Sequence, residues 1–176
     1  MPELLGLNGS LRAASASMAL MRTLSERLAP KARLEIAEIA PLPHYNADID
    51  GGPQVARLIE QIGAADGLVF ITPEYNYSVP GVLKNAIDWA SRPAYQSVFK
   101  DKPALVITVS GGALGGARAQ AHLKYILNGM LAVPHVGQEI VVAHANAKVE
   151  DGRFTDETTL GFVQAELDAF IASLNA

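Results

Sequence analysis

Three short segments hold the residue types that could do chemistry. Asn8-Gly9-Ser10-Leu11-Arg12-Ala13-Ala14-Ser15-Ala16-Ser17 places three hydroxyls and one guanidinium just ahead of a helical pattern. Helix-start N–H groups, the Ser10, Ser15 and Ser17 hydroxyls and Arg12 form a donor set suited to a phosphate monoester, which carries roughly −1.5 to −2 charge. The same residues are also consistent with a plain serine N-cap beside an exposed arginine. Thr72-Pro73-Glu74-Tyr75-Asn76-Tyr77-Ser78 precedes a helix opened by Pro80. Its backbone amides are suited to the edge of a flat heterocycle, and the positive helix end favours negative charge there. A polar turn with packed tyrosines is the other reading. Ser110-Gly111-Gly112-Ala113-Leu114-Gly115-Gly116 has four glycines in seven residues. Missing side chains let a ligand approach the backbone, or simply make a flexible turn.

The elements around these segments set where they meet. Leu4–Leu7, the alternating stretch Arg33–Ile39, Leu68–Ile71, Ala104–Val109 and Ile140–Val142 read as strands. Between and after them, apolar residues recur with helical spacing: Met21, Leu24 and Leu28; Val55, Leu58, Ile59 and Ile62; Leu83, Ala86, Ile87 and Ala90; Leu123, Ile126, Leu127 and Met130; Leu160, Val163, Leu167, Phe170 and Leu174. Five β–α units in series predict an α/β fold with a parallel sheet and helices on both faces. At this length the economical arrangement is the flavodoxin-like five-stranded order 2-1-3-4-5, with residues 1–176 as a single domain. Ligands of such sheets bind at the carboxyl ends of the strands, beside the switch point between strands 1 and 3. The three unusual segments follow strands 1, 3 and 4.

Composition removes several classes of function. The 176 residues carry 14 basic and 18 acidic side chains, a net charge of −4, which argues against general nucleic-acid binding. There is no cysteine, hence no disulfide, thiolate metal site or cysteine nucleophile. His44, His122, His135 and His144 lack metal-ligand spacing, so no metal site is expected. Asn46-Ala47-Asp48-Ile49-Asp50-Gly51 begins like a calcium loop, but Arg57 stands where its closing glutamate belongs. The first segment is neither G-x-G-x-x-G nor a Walker loop, and Ser110 has no G-x-S-x-G elbow. No leader pattern or membrane-length apolar run is present, which fits a cytoplasmic chain with no membrane insertion.

Together the segments resemble the NAD(P)H-dependent FMN reductase family, including its quinone- and chromate-reducing members. The matching residues are Gly9-Ser10-Leu11-Arg12 with Ser15; Thr72 through Gly81, continuing Leu83-Lys84-Asn85-Ala86-Ile87-Asp88-Trp89 to Ser91-Arg92; and Gly112 with Gly115 through Gln120 and Leu123. The resemblance extends over roughly residues 4–143. It implies FMN as cofactor, with Ser10, Arg12, Ser15 and Ser17 at its phosphate. Pro73, Glu74, Tyr75 and Asn76 would line the isoalloxazine, and Ser110, Gly111 and Gly112 would approach its other side. No catalytic side chain is implied, because the flavin carries the chemistry. NAD(P)H would be the co-substrate and a quinone, flavin or similar small molecule the acceptor, in ping-pong turnover. A homodimer or homotetramer is implied, with Arg118, Tyr77 and Trp89 as interface candidates. Ser17 departs from the pattern: similar members often carry Asn there, and Ser lacks the amide donor. The competing expectations are a flavodoxin-like electron carrier that never meets a nicotinamide and a non-catalytic flavin-binding protein.

Overall fold

The computed structural model describes residues 1–29 and 31–174. The chain runs β1 (Glu3–Asn8), α1 (Ala16–Leu28), β2 (Arg33–Ile36), α2 (Gly52–Ala64), β3 (Gly67–Pro73), α3 (Gly81–Ala90), β4 (Pro103–Val109), α4 (Ala117–Gly129), β5 (Val133–Pro134), β6 (Ile140–Val142), a 3-10 turn (Ala145–Lys148), β7 (Val149–Glu150), β8 (Arg153–Phe154) and α5 (Glu157–Ser173). The main sheet is parallel, ordered β2-β1-β3-β4-β5, with β6 also paired to β4. This is the order expected from the β–α pattern.

Residue alternation along the strands builds two apolar layers. Leu68 and Phe70 of β3 face a cluster with Val55, Leu58 and Ile62 of α2, Leu83 and Ile87 of α3, and Leu123 and Leu127 of α4. Val69 and Ile71 face the opposite cluster, with Leu20 and Leu24 of α1 and Leu160, Val163 and Phe170 of α5. Strands apolar on both faces are what a helix-covered parallel sheet requires.

Two elements differ from the sequence reading. The second strand is paired only over Arg33–Ile36, although the alternating pattern continues to Ile39. Ala37 and Ile39 are still buried and Glu38 exposed, so the alternation reports burial beyond the end of the ladder. The fifth position is split: Val133 and Pro134 pair with the start of β4, and Ile140–Val142 with its end. Two residues around a proline are too short to be legible as a strand. The β7–β8 hairpin was not anticipated. It turns at Asp151 and Gly152, both at positive φ, the backbone of a two-residue hairpin turn.

Candidate functional site

The carboxyl ends of β1, β3 and β4 open onto a cleft of about 450 Å³. It is lined by Ser10, Arg12, Ser15, Ala16, Ser17, Pro73, Glu74, Tyr75, Val109, Ser110, Gly111 and Asn146. All three segments singled out in the sequence therefore converge at the switch point. Of the expected site residues, Asn76 and Gly112 lie outside this lining, and Asn146 was not anticipated.

Asn8 organises the first loop from below. It is 1% exposed, and its Oδ1 accepts from the Ser10 N–H at 2.9 Å and the Ser17 hydroxyl at 3.1 Å. The Ser15 and Ser17 hydroxyls are 2.7 Å apart. Ser15 is also the N-cap of α1, its Oγ accepting from the Met18 N–H at 3.3 Å. The Ser10 hydroxyl accepts from the Arg12 N–H and shares a hydrogen bond with the Tyr75 phenol across to the second loop. Ser15 therefore caps the helix, as the plainer reading of this loop expects, and also lines the cleft. Ser17 is buried and anchored on Asn8, so the shorter side chain at this position ties the loop down. The Asn8 Nδ2 is buried with no acceptor, and the Arg12 side chain has no partner among the described residues.

The second loop is a tight hairpin. Tyr75 and Ser78 exchange backbone hydrogen bonds of 3.0 and 3.1 Å, with Asn76 at φ 48° and Tyr77 at φ 68° between them. Both central residues are left-handed, as in a type I′ turn, where asparagine is favoured. Asn76 is thereby the exposed tip of the turn. Glu74 turns its carboxylate onto α4. It accepts from the Arg118 and Ala119 backbone N–H groups at 3.0 and 3.2 Å and from Arg118 Nη1 at 2.9 Å. The N-cap of α4 is Gly116, which has no side chain to do this, so the cap comes from another loop. Burial pushes the Glu74 carboxyl up, but the Arg118 hydrogen bond and the two backbone N–H groups outweigh it and hold it below the usual carboxylate value. Arg118 lies 4.4 Å over the Tyr77 ring, and the Ser78 hydroxyl is 3.0 Å from His122 Nδ1. Arg118 and Tyr77 thus pair within the chain. Trp89 is buried and donates to the Pro43 carbonyl, which accounts for it as packing.

The third loop is held by the chain just beyond β6. The Ser110 N–H donates to the Val142 carbonyl, and the Ala145 N–H to the Ser110 carbonyl. This brings Asn146, on the 3-10 turn, over Gly111. A Cβ at Gly111 would come within 2.6 Å of Asn146 Nδ2, so glycine is what admits the amide. His144-Ala145-Asn146 has no distinctive composition. Only extending the carboxyl-end rule to the fifth strand would have found it.

The family model for NADPH-dependent FMN reductases matches residues 2–147. The chain belongs to that family. Its curated relatives include an NAD(P)H-dependent FMN reductase of Pseudomonas aeruginosa, 43% identical over 171 residues, covering 95% of this chain and 92% of the relative. A quinone reductase of Escherichia coli K12 is 43% identical over 177 residues, covering 96% and 93%. Among solved structures, the flavoenzyme NAD(P)H:acceptor oxidoreductase FerB of Paracoccus denitrificans superposes with TM-score 0.89 at 40% identity, covering 99% of this chain and 98% of that one. The apo form of an NADH:FMN oxidoreductase, at 20% identity and TM-score 0.73, shares the fold.

The cleft of this FMN reductase family member fits the group that the family name implies. An oxygen-rich phosphate needs convergent donors, and the loop offers hydroxyls, the α1 N-terminus and an arginine with no acid partner among the described residues. The unpartnered Asn8 amide is a further donor beneath the same loop. Among the described residues, no cluster of His, Cys, Asp or Glu is placed to hold a metal ion, and no helix is long and apolar enough to cross a membrane.

Proposed function

We propose that this chain is an FMN-dependent oxidoreductase that takes electrons from NAD(P)H and passes them to a quinone, a flavin or a similar small acceptor. The observation that carries the reading is the convergence of Arg12, Ser10, Ser15 and the α1 N-terminus on one cleft at the switch point. Bound there, FMN supplies the hydride and electron transfer, so no nucleophile or acid is asked of the protein.

The side chains bind and orient. Ser10, Arg12 and Ser15 hold the phosphate, with Ser17 keeping Ser15 and Asn8 in place. Pro73 and Tyr75 form one wall; Ser110, Gly111 and Asn146 form the other. Glu74 fixes the distance between those walls through α4, and Asn76 shapes the turn that carries Tyr75. In our reading residues 1–176 are one domain, cytoplasmic and assembled as a homodimer or homotetramer. Co-substrate and acceptor occupy one cleft in turn. Initial rates of NADPH oxidation at several quinone concentrations test this: parallel double-reciprocal lines are expected, and intersecting lines, or no oxidation at all, contradict it.

A further inference from the structure

A second cleft, of about 550 Å³, lies on the far side of the first loop. Ser10 and Arg12 line both clefts, so the loop is their common wall. Beyond that wall stand Arg22 of α1 and Glu38, two residues past the end of β2, with Met18 and Leu11 giving apolar surface.

The charges there are unusual for this protein. Most of its cations are neutralised internally: on α1 itself Arg27 pairs with Glu157, and Glu26 with Arg153. Among the described residues, Arg12, Arg22, Arg57 and Lys100 are the basic side chains with no hydrogen bond, ion pair or ring contact. Two of these four line the same cleft. A guanidinium without an internal acid keeps its forked donors for an outside anion.

We propose that this second cleft takes the adenosine end of the nicotinamide co-substrate, with Arg22 receiving its 2′-phosphate. The proposal rests on the reading of the first cleft as the flavin site. Met18 and Leu11 supply a surface for a flat base. Among the described residues Glu38 has no ion pair either, and its carboxylate can accept from the remaining 3′-hydroxyl of that ribose. Arg12 serves the flavin phosphate on the other side of the loop, and the forked donors of Arg22 give the 2′-phosphate a charge-assisted contact that NADH cannot make, which selects NADPH over NADH.

Calorimetric titration of the FMN-loaded full chain with adenosine 2′,5′-bisphosphate and with 5′-AMP reads this cleft apart from turnover. The bisphosphate is expected to bind roughly tenfold more tightly or better, as a charge-assisted contact allows. Arg22→Gln should bring the two nucleotides to within about twofold of each other, with FMN affinity unchanged. In turnover the same variant should raise KM for NADPH and leave kcat and KM for NADH alone. Equal binding of both nucleotides by the wild-type chain, or an undiminished preference in Arg22→Gln, overturns the proposal. A chain that takes up no FMN overturns the reading of the first cleft instead. The same titrations on unloaded wild-type and Arg22→Gln chains would then still decide the second.

Discussion

Arg12 and Ser15 separate ligand binding from folding. The Arg12 side chain makes no hydrogen bond, ion pair or ring contact among the described residues, so Arg12→Gln should leave the thermal midpoint in place. Its FMN affinity, read by fluorescence quenching, should fall about tenfold to a hundredfold, the weight of a charge-assisted contact. Ser15 has two roles: its hydroxyl faces the cleft and also caps α1. Ser15→Ala should therefore weaken FMN binding and also cost about 1 kcal/mol of stability. Equal stability losses in both variants would contradict the division. Asn76 belongs to the turn. Asn76→Gly should be tolerated, whereas Asn76→Ala should cost about 1 kcal/mol in urea unfolding, since alanine resists a φ of 48°. Residue types and loop positions were legible in the sequence because they follow strand ends. The direction of Glu74 was not, since its partners lie 44 and 45 residues away and are brought near only by the fold.

The β3–α3 loop, the β4–α4 loop and α4 form one clamp, closed by Glu74. Its carboxyl is held below its ordinary value by Arg118 and two backbone N–H groups acting against burial. A depressed carboxyl adds stability above its unfolded-state value, near 4.3, and that stability is lost as pH falls through the lower folded-state value. Glu74→Gln should be less stable than wild type at pH 7, and the gap should close in acid below about pH 4. A gap that stays constant with pH would argue against the clamp. At the same junction Gly116 has φ 88°, and a Cβ there would sit 2.9 Å from the Thr108 Cβ. Gly116→Ala should cost at least about 1 kcal/mol from backbone strain alone, with α4 loosened first in hydrogen exchange. The sequence pattern identified the long elements, whose periodicity spans several turns or a full strand. The split fifth strand escaped it because Val133–Pro134 and Ile140–Val142 owe their pairing to β4. The end of β2 escaped it because alternation tracks burial.

At the scale of the whole molecule, two apolar layers clamp one sheet, and the cleft sits where strand order reverses. Phe70 is fully buried between β3 and the α2–α4 layer. Phe70→Ala should cost about 3–5 kcal/mol and unfold the chain, cleft included, in a single transition. The strand order was readable because five β–α units at this length leave few ways to wind the sheet. The Asn146 contribution was not, because it depends on how the chain folds back after β6. The most direct test of the account is the visible spectrum of the purified chain after saturation with FMN and removal of free flavin, recorded without oxygen before and after NADPH is added. A retained flavin band near one equivalent per chain that bleaches on NADPH and returns on adding a quinone is the predicted result. A chain that retains no flavin, or whose flavin band is untouched by NADPH, would contradict it.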